Sequence, residues 1–316
     1  MSNSRRSKRP AAEADVTAWF DGDECRLAYW RIGGAGPVKL FYFHGSPGCR
    51  LEARSLVELL DPARYDLVAV DRPGMGLSRF QPGYDLASHS RDLIALADSL
   101  NWQEFGAVGY SGGGATLYSL AATAPGRMRF GIDVSGWAPV GDYPELRSAM
   151  PAVDQVFSVL ASIWPYLVNL GFWTLASASR RKDVDRVIAL LEPSLSGPDR
   201  AWLEVAAHRQ ILLETIRDAF RQGRSGAARD AILRFRPWGL DLSEINTPIT
   251  LLHGSEDRMV PFVFAAWKSA RLPRSRLFRL AGAGHLGLFE YLAESLDIAS
   301  ADQAARRPGA VTDFLG

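Results

Sequence analysis

Cysteine is scarce in this chain, and its scarcity limits the available chemistry from the outset. The two cysteines, Cys25 and Cys49, are too few for a disulfide framework and lack metal-ligand spacing. Both are expected to be free thiols in a reducing compartment. An excess of one charge sign is also missing: 36 Lys and Arg face 35 Asp and Glu, a formal net charge of +1. That balance offers no electrostatic footprint for a nucleic-acid or membrane-surface partner. No apolar run reaches the roughly 18 residues a membrane span needs, and no internal repeat marks a solenoid or propeller. The opening Ser4-Arg5-Arg6-Ser7-Lys8-Arg9 starts like a twin-arginine export signal, yet Ala11-Ala12-Glu13-Ala14-Asp15 is too short and too acidic to follow it. Residues 1–15 are therefore expected to be a solvated basic tail, and the protein cytoplasmic.

What is present is ordinary globular material, 47% hydrophobic and 22% charged over 316 residues, enough to bury a large core. Val38 to Phe43, Leu67 to Val70, Phe105 to Tyr110 and Phe130 to Val134 are largely apolar, β-rich runs. Helical patterns such as Leu93 to Leu100 lie between them. Mostly apolar strands alternating with helices predict a parallel sheet covered on both faces. Val16 to Phe20 and Arg26 to Ile32 read as a preceding antiparallel pair. From about Gly141 to Leu240 the pattern is helical, broken by prolines and rich in Phe157, Trp164, Tyr166, Phe172, Trp173, Trp202 and Phe220. Strands resume at Pro248 to Leu252 and near Arg276 to Leu280, so a helical insertion divides two halves of one sheet.

Chemistry concentrates at Gly109-Tyr110-Ser111-Gly112-Gly113, a G-x-S-x-G sequence with a strand before it and a helical pattern after it. A serine on so sharp a strand-to-helix turn presents its Oγ at the carboxyl edge of the sheet. A hydroxyl needs a base to become a nucleophile. Among five histidines, His285 sits in a glycine-rich loop, Gly282-Ala283-Gly284-His285, past a strand. His89 and His208 fall in helical patterns, and His44 and His253 each precede a glycine at a strand end. The base in turn needs an anion to fix its tautomer. Asp257 follows a strand and precedes a helix, with Glu256, Asp133 and Asp142 as rivals. An oxyanion requires preorganised N–H donors. Gly112 directly follows the nucleophile, and in His44-Gly45-Ser46-Pro47-Gly48 proline has no N–H, which favours Ser46.

With His44 to Gly48, Asp71-Arg72-Pro73-Gly74-Met75-Gly76-Leu77-Ser78 and Gly109 to Gly113, the sequence resembles the α/β-hydrolase superfamily, in the branch with H-G-x-P-G, D-R-P-G-x-G-x-S and G-x-S-x-G signatures. The order Ser111, Asp257, His285 agrees with that resemblance, which extends from about residue 16 to 300 apart from the insertion. It implies a mostly parallel eight-stranded sheet flanked by helices, with a core of 16–140 and 241–303. A helical cap over the active site is implied for 141–240, and 304–316 form a C-terminal tail. The Asp71 to Ser78 segment resembles a structural loop and is assigned no catalytic step.

Epoxide hydrolases and haloalkane dehalogenases of this fold carry aspartate where Ser111 stands. Prolyl aminopeptidases carry an aromatic residue where Gly112 stands, whereas haloperoxidase behaviour fits the same residues. The expected activity is hydrolysis of a small to medium, largely apolar carboxylic ester through an acyl-enzyme on Ser111. No metal or organic cofactor is required. Amide, peptide, lactone or carbon–carbon bond hydrolysis on the same triad, or ligand binding without catalysis, are the alternatives. His44, Tyr110, Trp137 and Trp164 are candidate substrate contacts, the partner is a small molecule, and the sequence leaves the oligomeric state open.

Overall fold

The computed structural model describes residues 17–23, 25–181, 184–301 and 311–314. The basic tail of residues 1–15 lies outside the described residues. Nine strands form one sheet: β1 (Thr17–Asp21), β2 (Arg26–Ile32), β3 (Val38–Phe43), β4 (Tyr65–Val70), β5 (Phe105–Tyr110), β6 (Met128–Val134), β7 (Ile249–Gly254), β8 (Ser275–Leu280) and β9 (Val311–Phe314). Their order across the sheet is β1-β2-β4-β3-β5-β6-β7-β8-β9. β2 pairs antiparallel with both β1 and β4, and every later pairing is parallel. The eight expected strands are joined by a ninth inside the segment expected to be a tail, where Val311 and Phe314 pair with Leu277 and Leu280 of β8.

The central strands are apolar on both sides because both faces are covered. In β3, Leu40 and Tyr42 enter one core, and Phe41 and Phe43 the other. This is the period-two alternation of a strand. Each enclosed ring contributes about 1.5–3 kcal/mol by leaving water. On the Phe41 side lie α1 (Leu86–Ser99), opened by an Asp85–Ser88 capping box, and α2 (Gly114–Thr123), through Leu93, Leu96, Leu117 and Leu120.

Between β6 and β7 the described chain is helical: α3 (Ala152–Ile163), α4 (Pro165–Gly171), α5 (Trp173–Arg180), α6 (Val184–Leu191), α7 (Gly197–Glu204), α8 (Ala206–Ala219) and α9 (Ser225–Phe235). Thereafter α10 (Phe262–Ser269) adds Phe264 to the first core, while α11 (Leu292–Ala301) adds Leu296 to the second. Among the described residues, no helix is long and apolar enough to cross a membrane.

Two features of this frame place the site. β3 pairs with β4 on one side and β5 on the other, so the chain leaves β3 and β5 in opposite directions at their carboxyl ends. A crevice opens at such a topological switch point. The inserted helices are held near it by buried ion pairs. Arg72 lies 2.7 Å from Asp230 of α9, and Arg50 bridges Asp71 at 2.7 Å and Asp218 of α8 at 2.8 Å.

The aromatic residues of the insertion divide. Phe157, Phe172 and Phe220 pack in sequence at centroid distances of 6.0 and 6.1 Å. Trp164, Tyr166 and Trp173 are instead exposed.

Candidate active site

Ser111 directly follows β5 with a backbone φ of +52°, in the left-handed region that a non-glycine residue enters only at a cost. The tight turn depends on its neighbours. A Cβ on Gly113 would stand 2.1 Å from the Phe43 carbonyl oxygen, so the turn can sit against β3 only without one. A Cβ on Gly112 would stand 2.6 Å from the Cβ and 3.3 Å from the backbone nitrogen of Ser46. The backbones of these two residues, in the loops after β3 and β5, thus come close together at the switch point.

The start of the loop after β3 is held by hydrogen bonds at His44 and Gly45. The Arg72 backbone N–H donates to His44 Nε2 at 3.2 Å, which leaves His44 Nδ1–H to donate to the Gly45 carbonyl at 2.7 Å. Burial, reinforced by the nearby Arg72 charge, pushes the His44 pKa well below its ordinary value and keeps the ring neutral. The Arg72 guanidinium donates to the His44 carbonyl and, at 2.9 Å, to the Gly45 carbonyl. Glu52, partly buried, accepts from Gly45 N–H at 2.8 Å and from Tyr42 Oη–H at 2.7 Å. His44 is therefore a scaffold of this loop. With both ring nitrogens engaged and no exposed surface, it does not present itself to a ligand as expected.

His285 lies in the loop after β8 and is 3% exposed. Its Nδ1 faces Asp257 Oδ2 at 2.7 Å, while Asp257 Oδ1 accepts the N–H groups of Met259 and Val260 at 2.8 and 2.9 Å. The ring lies on Tyr110, with centroids 5.1 Å apart, and Tyr110 Oη–H donates to the His285 carbonyl at 3.2 Å. Burial opposes charge on His285, but the Asp257 carboxylate outweighs it, so the pKa is raised above 6.5. For Asp257, burial favours the neutral acid, yet the charge and hydrogen bond of His285 prevail and the pKa is lowered.

The rival residues are engaged elsewhere. Asp133 binds Lys268 and Tyr118, and Asp142 accepts from Trp238 N–H at 2.7 Å. Glu256 is exposed. His253 Nε2–H donates to the Val260 carbonyl at 2.8 Å and supports the Asp257 loop from behind. Both cysteines are free and buried, and burial with Asp92 nearby pushes the Cys25 thiol up to about 12.

Two expected substrate contacts are corrected by packing. The Trp137 indole is 2% exposed, set against Phe235 at 5.4 Å, Phe264 at 5.6 Å and the Arg234 guanidinium at 4.6 Å. Only its backbone reaches the site, donating to the Ser111 carbonyl at 3.4 Å. Trp164, at the junction of α3 and α4, is 62% exposed and faces solvent. Sequence reasoning missed Arg72, Glu52, Asp230 and Asp199. Asp199 accepts the backbone N–H groups of His285 and Leu286 at 2.7 and 2.8 Å.

A mostly parallel sheet, a serine at positive φ at its switch point and a carboxylate–histidine pair whose imidazole lies against Tyr110, the residue before that serine, point to a hydrolase. The chain belongs to the alpha/beta hydrolase family, whose sequence model matches residues 40–297. It is similar to the pimeloyl-[acyl-carrier protein] methyl ester esterase of Serratia marcescens, 27% identical over 260 residues, covering 81% of this chain and 90% of that one. A non-heme chloroperoxidase of Streptomyces lividans is 28% identical over 229 residues, covering 66% and 70%. The same fold is seen in an esterase from Rhodococcus sp. ECU1013, with a TM-score of 0.67 and 20% identity over 90% of this chain and 98% of that one. Esterases thus stand among the relatives of this hydrolase.

Proposed function

We propose that the protein is a serine esterase that cleaves a small to medium, largely apolar carboxylic ester through an acyl-enzyme on Ser111. The observation carrying this reading is the 2.7 Å contact of Asp257 with His285 Nδ1, which leaves Nε2 as the nitrogen to accept a proton, in an imidazole lying against Tyr110, the residue before a serine held at positive φ. His285 takes the Ser111 proton, and Oγ attacks the ester carbonyl. The Gly112 and Ser46 N–H groups receive the oxyanion, and removing one such donor typically costs about 100- to 1000-fold in kcat. His285 then protonates the leaving alcohol and activates water against the acyl-enzyme, with Asp257 stabilising the imidazolium at each transfer. The insertion serves as a cap: α9 packs against the Ser111 turn and α7 against the helical turn after His285.

Intact mass after treatment with a fluorophosphonate tests the reading. One adduct on the wild type and none on Ser111→Ala is expected. A folded wild type that stays unmodified would turn the assignment toward a ligand-binding protein.

The pH profile is a second expectation. The base works only when neutral and its pKa is raised, so activity is present above that pKa and lost as pH falls through it. Log kcat/KM on an uncharged ester should therefore fall with unit slope below an inflection above 6.5. A flat profile down to pH about 5 would exclude His285 as the base.

A further inference from the structure

Asp199 belongs to the insertion and has no exposed surface. It is the third residue of α7, where it completes a capping box with Ser196. That role occupies only one of its oxygens: Oδ2 accepts Ser196 N–H at 3.0 Å and Ser196 Oγ–H at 2.7 Å. Oδ1 points away from α7 and accepts the N–H groups of His285 and Leu286 at 2.7 and 2.8 Å. The approach is so close that a Cβ on Gly284 would stand 2.3 Å from Oδ1, so only glycine fits before His285. A helix cap needs neither contact. A carboxylate receiving two backbone N–H groups forms strong, charge-assisted bonds.

The His285 ring is fixed by Asp257, on the loop after β7, whereas its main chain is fixed by Asp199, on the insertion. We propose that Asp199 is a positioning residue for the base, holding the His285 main chain so that the ring stays between Asp257 and Ser111. This inference rests on the esterase reading for its catalytic consequence, though not for the clamp itself. The charged and titratable groups facing His285 are Asp257, Asp199, Glu52 of the 3₁₀ turn Arg50–Leu56, and Tyr110 of β5. Asp199 therefore also adds negative charge beside the imidazolium formed during turnover. The apolar contact of Leu195 and Leu203 with Leu286 fastens α7 to the same loop independently of charge. Losing the carboxylate thus need not detach the helix.

Three variants of the full chain, Asp199→Ala, Asp199→Asn and Ser196→Ala, separate positioning from capping. Asp199→Ala should lower kcat about 10- to 100-fold with KM changed less than about twofold. It should also speed amide exchange at His285 and Leu286. Ser196→Ala breaks the capping box but leaves the Oδ1 contacts, and should keep kcat within about twofold. Asp199→Asn retains a carbonyl for both N–H groups and removes the charge. It should preserve their protection and move the acid limb of kcat/KM to lower pH.

Equal losses of kcat in Asp199→Ala and Ser196→Ala would overturn the proposal, as would unchanged amide exchange in Asp199→Ala. If Asp199→Ala does not fold, Asp199→Ser, whose side chain is too short to hold both N–H groups, takes its place, and unchanged amide exchange in it overturns the proposal. If the wild type turns over no ester, the esterase reading fails by itself. Amide exchange in Asp199→Ala, or in Asp199→Ser if the alanine variant does not fold, then decides the clamp.

Discussion

On the proposed mechanism, Ser111→Ala should lower kcat on an ester by about 10⁶-fold while leaving the fold intact, since a serine triad loses nearly all its advantage with its nucleophile. Stability measurements on the same position provide a sharper check. At φ +52° a residue with a Cβ is strained by about 1–2 kcal/mol, a cost that alanine shares with serine. Glycine escapes that strain but has more freedom to lose on folding, which takes back about 0.5–1 kcal/mol. Ser111→Gly should therefore be more stable than Ser111→Ala by roughly 0.5–1 kcal/mol in urea unfolding, although neither should turn over an ester. A glycine variant less stable than the alanine one would mean that the turn is not strained, and that its geometry comes from packing alone.

The second large effect lies behind the site. Lys268 of α10 has no exposed surface, and its ammonium donates to Asp133 of β6 and to the carbonyls of Gly136 and Trp137 at 2.6 and 3.2 Å. Asp133 also accepts Tyr118 Oη–H at 2.5 Å and Gly136 N–H at 2.7 Å. Burial pulls the Lys268 pKa down while Asp133 opposes it. Asp133→Ala strands a buried cation and should cost about 3–5 kcal/mol in denaturant unfolding. Adding Lys268→Met to it should restore most of that loss, because apolar replacement of a whole buried pair is often close to neutral. If the double variant were no more stable than Asp133→Ala, the loss would come from the Tyr118 and Gly136 contacts instead.

The contrast between Asp133 and Asp257 shows what the sequence disclosed and what it could not. Asp133 lies at the end of one apolar strand and Asp257 follows another, and spacing alone allowed either to serve His285. Only the fold shows one carboxylate saturated by Lys268 and Tyr118 and the other against the imidazole. Strands and helices of the core were legible because two-sided burial writes continuous apolar runs, and the serine turn was legible because its geometry demands a local glycine pattern. The short β9 carried too few residues for a periodic signal.

Asp199 was hidden because its target, His285, is distant in sequence and its contact is to backbone, which leaves no mark on residue type. Its nearest local sign was Ser196-Gly197-Pro198-Asp199, which reads only as a helix start. Likewise, Trp164 and Trp173 were visible as large apolar residues, but which side of each helix would be covered is a tertiary fact.

The three carboxylates Asp199, Asp218 and Asp230 bear on how this hydrolase could be re-engineered. All three come from the insertion, and they meet the His285 backbone, Arg50 and Arg72 of the core. Exchanging the inserted helices for those of a relative, a common route to new substrate ranges, would remove them together. Arg50 would retain Asp71, but Arg72 would lose its paired carboxylate and keep its buried guanidinium hydrogen-bonded to the His44 and Gly45 carbonyls. A transplanted insertion would therefore have to bring its own acids at those three places. In this enzyme the inserted helices and the core are compatible as a matched set and are not interchangeable as separate modules.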